Sequence, residues 1–341
     1  MPLEDRRAID TNLGTLTGEG SQQIVRQDDE HLSKVARDPW PLVPSVIDSD
    51  PTYYDRPLLK DPVWIWAVPL YFYVGGLSGA AMTLGAASQL VGGDDLREFV
   101  RRCRWLGGIG GGIGSLLLIY DLGRPSRFLN MLRVFRPTSP MSVGAWVLAA
   151  AAPAAMSAAL WSHRPGFLGK YASVAGMSAG LMGMPLAGYT SVLITNSAIP
   201  LWQGSRRSMP FLFICSAITS AASMLDMMNP SRREQRLLTI FGTAGRVGEL
   251  IAIQSVEAEA RLERVRRPLH EGMPGALLKL ATGLTLASLA TSLLPGGGRM
   301  RRLSGVLGTL GALSLRFGIY YAGRASAADP RASFHQQRIQ A

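Results

Sequence analysis

The chain has 341 residues, 47% hydrophobic and only 17% charged, with a mean hydropathy of +0.15 and a formal charge of +11. Its two cysteines, Cys103 and Cys215, are too few to ligate an iron–sulfur cluster or a zinc knuckle and give no disulfide framework. A pI near 10.2 invites a nucleic-acid partner, but residues 1–62 carry 7 Lys/Arg against 12 Asp/Glu while the remainder carries 28 against 12, and that basic part is also the apolar part. Its arginines cluster between apolar runs, at Arg101/Arg102/Arg104, Arg206/Arg207, Arg232/Arg233/Arg236, Arg264/Arg266/Arg267 and Arg299/Arg301/Arg302. That is the pattern of loops at a lipid surface, so a bilayer is the expected partner and nucleic acid is not.

Residues 1–60 are polar and dotted with proline, without apolar periodicity. No positively charged start leads into an apolar core, so no signal peptide is expected. The reading is an acidic, extended N-terminal arm, with Asp38-Pro39-Trp40-Pro41 and Asp50-Pro51-Thr52-Tyr53-Tyr54 as docking points. From Val63 onward, eight apolar runs occupy 63–91, 104–122, 141–161, 171–195, 209–228, 237–257, 275–294 and 302–323. At about 20 residues each they are long enough to cross a bilayer as helices, and they predict an all-α integral membrane protein of eight transmembrane helices. The sixth run is the weakest because Arg246 and Glu249 fall inside it. The predicted division is an arm over 1–60, a membrane domain over 61–325 and a tail over 326–341.

Glycines recur four apart at Gly107/Gly111, Gly108/Gly112, Gly110/Gly114 and Gly176/Gly180, which predicts close helix packing in lipid. The stretch Gly107–Gly114 misses the register of a dinucleotide-binding loop and follows no predicted strand. Eight spans place both termini on one face, together with the loops after spans two, four and six. Arginine and lysine are nearly balanced between the two sets of loops, so the charge rule leaves the orientation open.

Chemistry is first a matter of exclusion. The four histidines, His31, His163, His270 and His335, all fall outside the apolar runs, whereas a membrane cytochrome of the b type needs axial histidines inside its helices. No haem, iron–sulfur cluster, other metal or catalytic residue is therefore expected in this chain. The most distinctive run joins the second and third spans, from Tyr120 to Arg133 and on through Phe135 to Gly144. Asp121 falls at a helix C-terminus, where the dipole disfavours a carboxylate, so a cationic partner is expected at Arg124 or Arg127. An ordered loop tying two helices together is the plain reading of this run.

Four ionisable residues, Asp226, Arg246, Glu249 and Arg316, fall in or at the edge of spans. A charge at such depth costs at least ~2.5 kcal/mol, so these groups must pair or face water. Arg246 and Glu249, three apart on one helical face, are expected to pair directly. Asp226 and Arg316 have no partner in their own spans. They form a buried ion pair if they meet, and are proton-relay candidates if they line a cavity. Gln89 is read as packing glue within the bundle.

The segments Pro62-Val63-Trp64-Ile65-Trp66, Pro69-Leu70-Tyr71-Phe72, Gly75-Gly76-Leu77-Ser78-Gly79, Asp121-Leu122-Gly123-Arg124-Pro125 and Pro137-Thr138-Ser139-Pro140-Met141-Ser142 resemble the NrfD/PsrC family. These are the membrane subunits of polysulfide, nitrite and related oxidoreductases. Gly188-Tyr189-Thr190-Ser191-Val192-Leu193 is similar to the family's fourth span, and the resemblance covers roughly residues 53–325. It implies two four-helix bundles and a quinone, menaquinone or ubiquinone, bound near one face of a bacterial-type inner (cytoplasmic) membrane. It also implies a ferredoxin-like iron–sulfur partner subunit and, through it, a molybdopterin or multihaem catalytic subunit.

Tyr189 matches the family's quinone-site tyrosine, with an interfacial aromatic as the plain alternative. Trp64 and Trp66 read first as belt anchors and second as lining of the quinone entrance, while Asp121, Arg124 and Asn130 complete the candidate quinone-binding set. Asp226, Glu249, Arg246 and Arg316 form the candidate proton pathway. A histidine that some members carry near the start of the first span is absent here. The functional expectation is a quinone-binding membrane anchor that exchanges electrons with its partner and couples to proton movement. The alternatives are a secondary transporter or proton channel, and a structural anchor without quinone activity.

Overall fold

The computed structural model describes residues 8–10, 15–17, 59–60, 62, 64–124, 126, 128–294, 297–330 and 332–333. The chain divides into two units, residues 1–56 and 57–341. In the first, strands β1 (Ala8–Asp10) and β2 (Thr15–Thr17) pair antiparallel, with Ala8 opposite Thr17. The docking segments expected at 38–41 and 50–54 lie outside the described residues.

The second unit is helical. Its long helices are α1 (Ala67–Gly92), α2 (Arg97–Asp121), α3 (Pro140–Trp161), α4 (Phe167–Thr195), α6 (Ser208–Asp226), α7 (Arg232–Glu259), α9 (Gly272–Leu293) and α10 (Gly297–Ala328). Two short helices, α5 (Pro200–Gly204) and α8 (Glu263–His270), lie in the connections. Helix ends carry local stop and start signals. Ser139 caps α3 by accepting from the Ser142 N–H at 3.4 Å, with Pro140 as its first residue. Ser231 and Glu234 close a reciprocal capping box on α7. Gly123, at φ +68°, turns the chain out of α2. Pro153 and Pro185 lie within α3 and α4, which run through them.

Each long helix coincides with one apolar run of the sequence. Six of them, α1, α3, α4, α6, α9 and α10, are long and apolar enough to cross a membrane. The other two average lower for visible reasons. Helix α2 opens on Arg97, Glu98, Arg101, Arg102 and Arg104, and α7 carries Arg232, Arg233, Glu234 and Arg236 in its first turns and Arg246 and Glu249 in its interior. Their outward faces are nonetheless apolar. Ile109, Ile113 and Leu116 on α2 and Ile240, Val247 and Ile251 on α7 are all exposed, a surface that suits lipid and wastes itself in water.

The helices pack as two squares. In the first bundle α1 touches α2 and α4, and α3 touches α2 and α4; in the second α6 touches α7 and α10, and α9 touches the same two. The bundles meet where α1 and α4 pack on α6, and α1 on α10. The two four-helix bundles implied by the family resemblance are therefore present. The first bundle closes through small residues. A Cβ on Gly79 would lie 2.5 Å from the Gly183 carbonyl oxygen and 2.7 Å from the Ala187 nitrogen, so α1 and α4 approach at backbone distance. Gly108 faces Met156 and Gly111 faces Ala152 across α2 and α3 in the same manner.

Candidate functional site

Traced through the alternating helices, the end of α2, the start of α3, the end of α4 and the chain leading into α1 share one face. Here α1 and α4 each place a tyrosine one to two turns below the surface. Tyr71 is 1% exposed and Tyr189 is half-buried, and their hydroxyls are hydrogen-bonded to each other, with ring centroids 6.4 Å apart. Glycine makes room for them. A Cβ on Gly144 would enter the Tyr189 ring, and one on Gly75 or Gly114 would come within 3.1 Å of the Tyr71 ring. Two phenols have two protons and the bond between them uses one, leaving one O–H to donate. A buried, aromatic-walled donor of this kind suits a flat ligand with a carbonyl oxygen.

Toward the second bundle lies an aromatic cluster that is buried but for Trp64, which is half-buried. Trp64 stacks on Trp202 at 6.2 Å and meets Phe72 edge-on at 6.4 Å, while Trp202 stacks on Tyr320 and donates its indole N–H to the Ile319 carbonyl at 3.1 Å. The Tyr320 hydroxyl donates to the Trp64 carbonyl. Trp64 is thus bound into the seam between the bundles. Trp66 is exposed and lies against Tyr120 at 5.9 Å, the position of a belt anchor.

Asp121 accepts a hydrogen bond from the Ile65 main-chain N–H at 3.1 Å. Among the described residues no ion pair joins it to Arg124, which is exposed, and Arg127 lies outside them. The expectation of an arginine partner is therefore not met by Arg124. A carboxylate at a helix C-terminus needs a donor, and the free N–H where the chain enters α1 serves. Asn130 is exposed on a short 3-10 turn, Leu129–Leu132. The rim thus brings together Trp66, Tyr120, Asp121 and Ile65, and leaves Arg124 and Asn130 facing outward. Tyr71, the second half of the phenol pair, was not singled out from the sequence. Its sequence signal is weak, since Tyr73 in the same run carries the same group.

The charged residues occupy the second bundle. Asp226, at the end of α6, takes two arginines, Arg301 at 2.9 Å and Arg246 at 3.5 Å. Arg246 is fully buried and also donates to the hydroxyls of Ser288, Ser223 and Ser304. The expected pairing of Arg246 with Glu249 is replaced by these bonds across helices. Asp226 faces the unfavourable end of its helix dipole, which favours recruiting both cations. One turn along α7, Glu249 accepts from Thr285 at 2.8 Å. Arg316, also fully buried, donates to the Phe213 carbonyl at 2.8 Å with its guanidinium 4.0 Å from the Phe213 ring centroid. Asp226 and Arg316 do not pair with each other. Among the described residues, the Arg246 Nη1 and Arg316 Nε and Nη1 atoms along this ladder are buried without a hydrogen-bond partner, while the hydroxyls of Ser216 and Thr219 face Glu249 and that of Thr309 faces Tyr73 without close hydrogen-bond geometry. Cys103 and Cys215 are buried free thiols.

Comparison with known proteins joins these observations. The family model described as polysulphide reductase, NrfD matches residues 57–239, from the entrance to α1 into the first turns of α7. The C subunit of polysulfide reductase from Wolinella succinogenes is 25% identical over 180 residues, covering 47% of this chain and 56% of that protein. The chain thus spans little more than half of that relative. With over half of its length matched and its long apolar helices in place, the chain is a multi-pass membrane protein that belongs to the NrfD family.

Proposed function

We propose that this chain is the quinone-binding membrane subunit of a multisubunit oxidoreductase, and that all eight long helices cross the membrane. The observation that carries the reading is the Tyr71–Tyr189 pair, a donor within the first bundle with one proton to spare. A menaquinone or ubiquinone, when bound, supplies a carrier of two electrons and two protons. The chain's own part is to hold a carbonyl oxygen with a phenol, to flank the ring with Trp64, and to steady the rim through Asp121 and the start of α1. Arg124 and Asn130, exposed on the same face, suit the approach of a ligand or partner more than a buried site. Electrons pass to or from a ferredoxin-like iron–sulfur subunit docked on that face, with a molybdopterin or multihaem catalytic subunit beyond it, in a bacterial inner membrane.

The test is Tyr189→Phe, with Tyr71→Phe beside it, in the purified complex. Each keeps the ring and removes one hydroxyl, so turnover with quinol is expected to fall by about 100- to 1,000-fold, as for loss of one positioned donor, while the thermal midpoint moves little. Unchanged turnover in both variants sinks the proposal.

A proton route is the second reading, favoured by the unpartnered atoms along the Asp226–Arg246–Glu249–Arg316 ladder. Buried polar atoms left unpaired call for water, and Arg301, with 18% of its side chain exposed, opens the ladder toward the opposite face. Under this reading proteoliposomes of the complex take up protons during quinol turnover, and Glu249→Gln abolishes the uptake. Proton flux through the isolated chain without any electron donor favours a channel or transporter instead. Co-purification with a partner without quinone reactivity favours a structural anchor.

A further inference from the structure

The first bundle has a second site at its opposite end. Where α1 hands over to α2 and α3 to α4, a cavity of about 580 Å³ opens, lined by Arg97, Arg101, Arg104 and Arg164 with His163, against one carboxylate, Glu98. Arg104 forms its floor. Its guanidinium donates to the Ser162 hydroxyl at 2.7 Å and to the Gln89 side-chain oxygen at 2.8 Å, and its Nε is buried with no partner. Gly176 makes space for it, since a Cβ there would lie 2.6 Å from that Nε. Gln89 is in turn fixed by donating to the Ser173 hydroxyl at 2.6 Å. Arg101 is tied to Glu98 at 2.7 Å, whereas Arg164 has no ion pair with an acid among the described residues.

An arginine held by neutral partners from two other helices, beneath further arginines, is a cradle for an anion, and the fork of the guanidinium matches phosphate oxygens. The flanks of the cavity decide which anion. Leu90 and Val91 end α1 exposed, and Leu160, Trp161, Phe167 and Tyr171 are exposed around the α3–α4 turn. Aromatic side chains at helix ends mark the headgroup level of a bilayer, where basic pockets between helices take anionic headgroups. A soluble anion gains nothing from that apolar flank, and the cavity is far larger than one tetrahedral ion fills. We infer that this cavity binds the phosphate of an anionic phospholipid headgroup, with the acyl chains lying along the exposed residues of α1, α3 and α4. The inference stands apart from the quinone reading and survives its failure.

The full chain, purified in a nonionic detergent, tests it by thermal unfolding and by native mass spectrometry. Added phosphatidylglycerol is expected to raise the midpoint by a few degrees over phosphatidylcholine and to remain bound through desolvation. The gain should shrink at high salt and disappear in the double variant R101Q/R164Q, whose arginines sit at the rim and carry no helix-to-helix bond. Arg104→Gln, which also removes packing bonds, should lose the gain and start from a lower midpoint. If inorganic phosphate alone reproduces the full gain, the cradle stands and the lipid is overturned as its source. No gain from either probe, or a gain undiminished in R101Q/R164Q, overturns the site.

Discussion

The two bundles share one architecture and close glycine packing, and they differ in what their interiors hold. In the first, backbones come together through glycine and alanine. The Gly79–Gly183 crossing leaves no room for a methyl group, the interior polar groups are small hydroxyls such as Ser78 and Thr83, and the larger polar groups lie toward the two ends, as the Tyr71–Tyr189 pair and the Arg104 cradle. In the second, the interior is charged, with Asp226, Arg246, Glu249 and Arg316 each no more than 2% exposed. Lipid offers little hydrophobic drive for helices to associate, so a bundle there closes by tight packing or by interhelical polar bonds. This protein packs backbones closely on both sides of the α1–α6 seam, where Gly305 meets the Ser223 carbonyl as Gly79 meets that of Gly183, and adds buried charge only in the second bundle. The proposed binding sites both fall in the bundle whose interior carries no buried charge among the described residues. The match to the NrfD family also ends at residue 239, so Arg246, Glu249 and Arg316 lie beyond it while both tyrosines lie within.

The largest break in this comparison is Arg246→Ala. It removes one of the two cations on Asp226 and the donor to three serines. Breaking a buried ion pair from one side costs about 3–5 kcal/mol, so the detergent-solubilised chain should unfold at a markedly lower temperature or fail to accumulate in membranes. A midpoint equal to wild type means that charge does not hold the second bundle.

The counterpart in the first bundle is Gly79→Val. The new side chain meets the backbone of Gly183 and Ala187, which cannot move aside as a flexible side chain would. Forcing atoms into a packed contact costs about 1–3 kcal/mol. Gly112→Ala is the control, because a Cβ there meets nothing, and it should stay within about 0.5 kcal/mol of wild type. Equal effects from the two glycines refute the tight crossing.

These contrasts explain what could be read in advance. The long helices were visible as apolar runs because lipid-facing and buried positions both select apolar residues, whereas the four-residue glycine spacing was only half informative: Gly108 and Gly111, three apart, meet α3, while Gly112 meets nothing. Partner choice was not visible. Asp121 turned to a main-chain N–H rather than to Arg124, and Arg246 reached across to Asp226 rather than along its own helix to Glu249. Sequence spacing reports only neighbours on the same helix, while a long arginine side chain has several helices within reach. Tyr71 was hidden for the same reason, since its meaning comes from a tyrosine 118 positions away. The arginine cavity joins two connections in the same way. Arg104 reads from the sequence as one of a cluster at the lipid surface and Arg164 does not stand out, and only packing brings them to one space.

The smallest expected effect sharpens the comparison most. Glu249→Gln keeps the side chain's shape and an oxygen to accept from Thr285, and it removes a buried charge that Arg316 does not approach closely enough to pair. If the second bundle used every charge as mortar, this change would rank beside Arg246→Ala. The geometry says otherwise. Asp226 and Arg246 form an ion pair, whereas Glu249 accepts from Thr285 with the Ser216 and Thr219 hydroxyls beside it and has no ion pair among the described residues. Neutralising a poorly paired buried carboxylate relieves desolvation as much as it loses attraction, so the thermal midpoint should move by no more than about 1 kcal/mol equivalent, in either direction. A loss approaching that of Arg246→Ala would make Glu249 a structural member of the ladder and remove the reason for placing a proton there.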